Sequence, residues 1–173
     1  MEIDYDELYD LCDERRFNCW FDNQQNWEEK YLKDAFSEEE ITKCLNEKNI
    51  KIPTTLFNYL TKVSREFVFE EYPVLIELNE LPTKENIEKA VMKENIDGCD
   101  FKDFGISYNN FYKAAIRIGN LGCGKETYIF LGEGKYFGTI WYDDPQGEMG
   151  LLFKTIDLYI KSSMKSVKYL NTI

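Results

Sequence analysis

The sequence predicts an α+β fold in which an antiparallel or mixed β-sheet is flanked by helices. Two observations carry this expectation. The front half sets apolar residues three and four apart behind helix caps, whereas residues 114–142 hold short β-rich runs separated by Gly119, Gly122, Gly124, Gly132, Gly134 and Gly138. A helical period then returns over 155–170. With 173 residues, 43% hydrophobic and 16% aromatic, the chain has material for one core, so a single domain over 1–173 is expected, with a helical extension over 1–35 and the core over 36–173.

The first predicted helix runs from Asp4 to Arg16. Tyr5, Leu8, Tyr9 and Cys12 share one face, Asp4 stands at the cap, and Arg15 and Arg16 meet the negative end of the dipole. Phe17 to Trp27 mixes Asn and Gln with Trp20, Phe21 and Trp27, which suits an irregular segment pinned by its rings, and a short helix is expected from Trp27 to Phe36. Ser37-Glu38-Glu39-Glu40 reads as a capping box, with Ile41 and Leu45 on the inner face of a helix ending near Asn49. Pro53, with its fixed φ and missing amide, opens a helix that turns Leu56, Phe57, Leu60 and Val63 inward, and these two helices should pack as a pair.

Tyr72 to Leu78 is strand-like, although Pro73 confines it to a strand start or an edge. A capped helix is expected from Thr83 to Glu94, with Ile87, Ala90 and Val91 on one side. Ala114–Ile118, Thr127–Leu131 and Tyr136–Tyr142 read as consecutive antiparallel strands, and Trp141 should be at least partly buried. The closing helix, Thr155 to Leu170, turns Ile156, Tyr159, Ile160, Met164 and Val167 inward and Lys161, Lys165 and Lys168 outward.

Composition excludes several classes of chemistry. Lys plus Arg number 21 against 32 Asp plus Glu, a net charge of −11, and a surface of that sign repels phosphate backbones. Fifteen acids and six bases fall within residues 1–50, so the acidity belongs to the front of the molecule. A chain without His lacks the usual general base and metal ligand, which removes Ser-His-Asp, Cys-His and His-zinc arrangements. The five cysteines, at 12, 19, 44, 99 and 123, are odd in number and show no C-x-x-C spacing, so they indicate neither a disulfide framework nor structural zinc. The acidic N-terminus resembles no targeting peptide, and no apolar run reaches the roughly 18 residues of a membrane span. A cytoplasmic protein with no membrane partner is expected.

Gly119-Asn120-Leu121-Gly122-Cys123-Gly124-Lys125 fits the first seven positions of the phosphate-binding pattern GxxxxGK[ST]. The match then fails, because Glu126 stands where a hydroxyl should hold magnesium and Tyr128-Ile129-Phe130-Leu131 is strand-like where a helix should begin. A glycine-rich hairpin is the better reading. Cys123 has no base beside it except Lys125 and suits a small residue at a tight turn. Asp143, Asp144 and Glu148 offer carboxylates to a hard cation, but their spacing matches no calcium loop and Asp-Asp-Pro-Gln-Gly is typical of a solvated turn.

Several segments together resemble the SMI1/KNR4 (SUKH) superfamily. Phe36-Ser37-Glu38-Glu39-Glu40-Ile41 through Ile50-Lys51-Ile52-Pro53 and Leu56-Phe57-Asn58-Tyr59-Leu60 is similar to that family's acidic-start helix, its Leu-Pro-like step and its second helix. Ile116-Arg117-Ile118-Gly119 through Gly124 resembles its glycine-ended strand, Gly138-Thr139-Ile140-Trp141-Tyr142-Asp143-Asp144 its G-x-[IV]-[WY] strand, and the helix from Thr155 its closing helix. The order of segments spans about residues 36 to 165; Val63-Ser64-Arg65-Glu66 replaces the family's Asn-Gly pair.

The resemblance implies an α+β fold, no catalytic activity and no cofactor. Bacterial members of that family serve as immunity proteins that neutralise secreted polymorphic toxins, often nucleases, whereas fungal members act as regulatory hubs in cell-wall signalling. The expected partner is therefore a cognate, basic protein toxin bound at Trp141, Tyr142, Asp143, Asp144 and Glu148, with Glu38 and Glu39 as a second acidic cluster and Asp6, Asp10, Asp13 and Glu14 as a third. Two alternatives stand beside it: a signalling or cell-wall-regulatory adaptor, and a nucleotide-binding enzyme using Gly119–Lys125.

Overall fold

The computed structural model describes residues 2–21, 34–70, 72–93 and 101–170, with the side chains of 14–21 and 167–170 outside the description. Expectations for residues 22–33, for the Glu14, Cys19, Trp20, Phe21 and Val167 side chains and for Cys99 lie outside these residues. The elements in order are α1 (Tyr5–Phe21), α2 (Glu38–Lys48), α3 (Thr54–Lys62), β1 (Glu66–Phe67), β2 (Val74–Leu75), a 3-10 turn (Leu78–Glu80) and α4 (Lys84–Lys89). A second 3-10 turn (Phe101–Phe104), α5 (Tyr108–Lys113), β3 (Ala115–Gly122), β4 (Lys125–Phe130), β5 (Ile140–Asp144), β6 (Glu148–Phe153) and α6 (Ile156–Leu170) follow. The fold is α+β, with β1 and β2 as an antiparallel pair and β3-β4-β5-β6 as an antiparallel meander.

Local signals account for the helix starts. Asp4 Oδ1 accepts the Asp6 and Glu7 amides at 3.1 and 3.2 Å, and Ser37 and Glu40 close the capping box, with the Glu40 amide 3.2 Å from Ser37 Oγ and the Ser37 amide 2.8 Å from Glu40 Oε2. Asn49, at φ 50°, ends α2 in the left-handed region, and Pro53 directly precedes α3. In α1, Leu8 and Cys12 are buried as expected, but Tyr9 is 43% exposed, because the helix beds on one narrow stripe.

Two expectations for the second half are corrected, and one strand is added to them. The helix begun at Thr83 stops at Lys89, where Ala90 leaves helical geometry; the Lys93 amide then donates to the Phe104 carbonyl at 2.8 Å, drawing the chain out so that Met92 is buried and Val91 is exposed. Tyr136 to Thr139 is a turn and not strand, closed by the Thr139 amide on the Tyr136 carbonyl at 3.1 Å. Residues after the Asp-Asp-Pro-Gln-Gly turn form β6, an unexpected fourth strand. Residues 34–37, assigned partly to a helix, are not helical.

The four-stranded sheet lies between two apolar cores. Successive strand residues point to opposite faces, and the register aligns Ile116, Ile129 and Ile140 on one face, where they join Leu8, Ile41, Leu56, Tyr59, Leu60 and Ile160 from α1, α2, α3 and α6. The other face carries Phe130, Trp141 and Met149 against Phe101, Phe104 and Phe111. Trp141 has no exposed surface; Phe104, Phe111 and Phe101 meet it edge-on at 5.0, 5.8 and 6.0 Å between ring centroids, and its Nε1 donates to Thr139 Oγ1 at 2.8 Å. Among the described residues no helix is long and apolar enough to cross a membrane.

Candidate partner-binding surface

The glycine-rich segment is a hairpin. Gly122 and Lys125 are register partners, so Cys123 and Gly124 form the two-residue loop, with φ 51° and 80°, the paired positive values of a type I′ turn. Lys125 opens a strand, which supplies no helix N-terminus for phosphate. Gly119 has a different reason to be glycine: a Cβ there would stand 2.1 Å from the Glu70 carboxylate, whose Oε1 accepts the Tyr159 hydroxyl at 3.0 Å. Cys123 is exposed at the loop tip.

The β5–β6 loop is equally determined. Asp144 Oδ1 accepts the Gln146 amide at 3.0 Å, its carbonyl accepts the Gly147 amide at 2.8 Å, and Gly147 takes φ 96°. Lys125 Nζ sits 2.8 Å from Asp144 Oδ2. These hydrogen bonds, the lysine's first and the amide's second, hold the Asp144 carboxyl below its ordinary range, and the same contact raises Lys125. Asp144 is consumed in holding two hairpin tips together and presents little surface.

The period of two splits the expected acidic cluster. Asp144 and Glu148 are register partners on the face that Lys125 shares, while Asp143 stands on the opposite face in register with Glu126. Tyr142 is half-buried with its ring over Gly150, where a Cβ would meet Cε1 at 2.6 Å. Trp141 is enclosed in the second core and offers no anchor to a partner. Glu38 and Glu39 are exposed in the first turn of α2, a helix that packs on α3 and reaches the Leu78–Leu81 segment through Cys44 and Lys48. Among the described residues no hydrogen bond or ion pair joins them to β5 or β6. On α1, Asp6 and Asp10 are exposed and Asp13 is half-buried.

Around Asp143 the structure assembles residues that the sequence reading did not single out. Tyr112 of α5 donates to Asp143 Oδ2 at 2.6 Å, Tyr128 donates to Glu126, and Arg117 Nη1 lies 2.6 Å from Glu126 Oε1. The Tyr112 and Tyr128 rings are 5.3 Å apart, and Tyr108 stacks outside Tyr112 at 6.3 Å. Burial first, and then the hydrogen bonds to Asp143 and Glu126, push both phenols well above their ordinary value, so they remain neutral donors. The i, i+2 spacing of Glu126 and Tyr128 was the available signal; Tyr112 comes from another element.

This network opens onto a cleft of about 320 Å³. The Tyr72 amide bonds the Asn120 carbonyl at 3.0 Å, and beyond that bridge β2 parts from β3, leaving a hollow lined by Leu75, Glu77, Glu80, Tyr112, Arg117 and Tyr128. Two carboxylates, Glu77 and Glu80, thus line the cleft with Arg117 and the two phenols, while Asp143 and Glu126 hold those phenols by hydrogen bonds. Neutral ring faces beside fixed carboxylates attract cations and suit lysine or arginine side chains. Among the described residues no three His, Cys, Asp or Glu are placed to share a metal ion. Neither family models, nor curated proteins, nor solved structures match this chain.

Proposed function

We propose that the chain is a non-catalytic, cytoplasmic immunity-type protein that neutralises a basic protein toxin, and that its β2–β3 cleft is the partner-facing surface. The observation that supports this most directly is the lining of the cleft, where Glu77 and Glu80 stand against the single guanidinium of Arg117, itself already paired with Glu126 at 2.6 Å. Such a field speeds the encounter with a basic surface and penalises acidic competitors, and the rings supply contact area once it is seated. The similarity in segment order to immunity proteins of the SMI1/KNR4 type supports the same reading. Free thiols at Cys44 and Cys123 suit a reducing compartment.

The test is association kinetics with the protein encoded beside this gene. Charge reversal in E77K/E80K should slow association about tenfold at low salt and flatten its salt dependence, with little effect on stability, because Glu80 is exposed and Glu77 half-buried, and charges that reach solvent act over about 10 Å and hold the fold weakly. A neighbouring gene product that forms no complex overturns the immunity reading. A complex whose association rate and salt slope ignore E77K/E80K shows that the partner binds elsewhere.

A further inference from the structure

A second and larger cavity, of about 590 Å³, lies between the α2–α3 connection, the start of α4 and the loop after β4. Its apolar lining is Ile50, Ile87 and Leu131, all buried side chains of the larger core, with Phe137, 38% exposed, as a wall. Lys51 and Lys84 also line it. Lys51 has no carboxylate within ion-pair distance among the described residues, and Lys84 meets Glu88 only at 3.5 Å across half-exposed side chains. Glu133 is the one carboxylate in the lining, which therefore carries two positive charges against one negative in a chain of net charge −11.

That sign is opposite to the acidic cleft, and it is combined with a different chemistry. An apolar hollow of this size with a few convergent polar groups has the form of a small-molecule site. A ring entering it leaves water chiefly against the half-exposed Phe137, above the nearly closed surface of Ile50, Ile87 and Leu131, while an anionic head left at the mouth meets the two lysines. A neutral ring gains only the first contribution, and a small inorganic anion only the second. We propose that this cavity binds a soluble organic anion with an aromatic body, an aryl carboxylate or sulfonate, held by Lys51 and Lys84 over the Ile50–Ile87–Leu131 floor. The site is independent of the toxin-binding reading and stands or falls separately.

The probe is 8-anilinonaphthalene-1-sulfonate, titrated by fluorescence into the full chain at neutral pH, with uncharged N-phenyl-1-naphthylamine as its counterpart. We expect one saturable site, binding the sulfonate about tenfold more tightly than the neutral amine, the difference typical of hydrogen bonds to a charged group. K51E/K84E should weaken the sulfonate at least tenfold and leave the amine unchanged, with K51Q/K84Q giving a smaller loss of the same kind; thermal unfolding of each variant verifies that the fold is kept. F137A should weaken both ligands. 1-Naphthoate should displace the probe and laurate should not. Equal affinity for the charged and neutral probes, binding indifferent to both lysine variants, or displacement by laurate as strong as by 1-naphthoate would overturn the proposal.

Discussion

Replacing Gly119 by alanine tests why this glycine sits in a phosphate-loop-like string. The backbone at Gly119 lies outside the positive-φ set, so alanine meets no conformational penalty there. The conflict is steric. A Cβ would lie 2.1, 2.2 and 2.4 Å from Oε2, Cδ and Oε1 of Glu70, a carboxylate only 8% exposed and bonded by Tyr159 at 3.0 Å. Restoring contact distance requires the carboxyl to retreat by roughly 1 Å, which breaks the Tyr159 bond. Overpacking costs about 1–3 kcal/mol and the hydrogen bond about 1 kcal/mol more, so G119A should lose about 2–4 kcal/mol. For a domain of this size a loss of about 3 kcal/mol lowers Tm by roughly 6–12 °C. Urea unfolding measures this, and the cycle with E70A isolates the contact: the double variant should recover about 1–2 kcal/mol relative to additivity. A G119A loss below about 0.5 kcal/mol, or an additive cycle, refutes the steric account. Magnesium-ATP should leave Tm unchanged for the unsubstituted chain, since a ligand of the native state raises it by mass action.

Two further outcomes follow from the cores and the phenols. W141A should lose about 3–5 kcal/mol in urea unfolding, as expected for a ring with no exposed surface, while W141F should fold and bind the proposed toxin with unchanged Kd; a tenfold weaker Kd would make Trp141 a partner anchor after all. Because the Tyr112 and Tyr128 phenols are raised in the folded state, the native protein holds more protons than the unfolded chain in alkali. Their contribution is therefore complete below about pH 10 and is lost as pH rises through the folded values. Y112F/Y128F should flatten the alkaline limb of the stability curve, and an unaltered limb would refute the assignment.

Much of the fold was legible wherever the determinants are local. Ser37 and Glu40 set the start of α2, Asn49 its end, Pro53 the next helix, and the glycines after Ile118 the hairpin, because caps and turns depend on residues a few places apart. The run Glu148–Phe153 escaped as a strand because its burial does not alternate: Met149 and Gly150 are both buried and Leu151 and Leu152 both exposed around the irregular register between Ile140 and Trp141. Helix α4 was overextended because the period of Ile87, Ala90 and Val91 carries no sign of the Lys93–Phe104 bond that ends it. At the candidate surface the error was one of period. Asp143 and Asp144 are neighbours in sequence and therefore sit on opposite faces of a strand, an inference open to sequence alone once Trp141 had been placed in β5. The pairing of Tyr112 with Asp143, across 31 residues, was beyond local reasoning.

The position of α1 has a consequence for how the molecule is made. The sheet β3 to β6 is a meander of neighbours in sequence, with short closure loops and a low entropic barrier to pairing. Helix α1 is the opposite case: Leu8 and Cys12 enter a core completed by Ile156, Ile160 and Met164 of α6, nearly the whole chain away. On the ribosome, Leu8 and Cys12 emerge long before that cover exists, and they stay accessible throughout synthesis of the sheet. Any protein that captures a nascent chain by exposed apolar side chains has its longest opportunity there, and substitutions at Leu8 or Ile160 should alter yield in cells more than they alter the association of the finished surface with a partner.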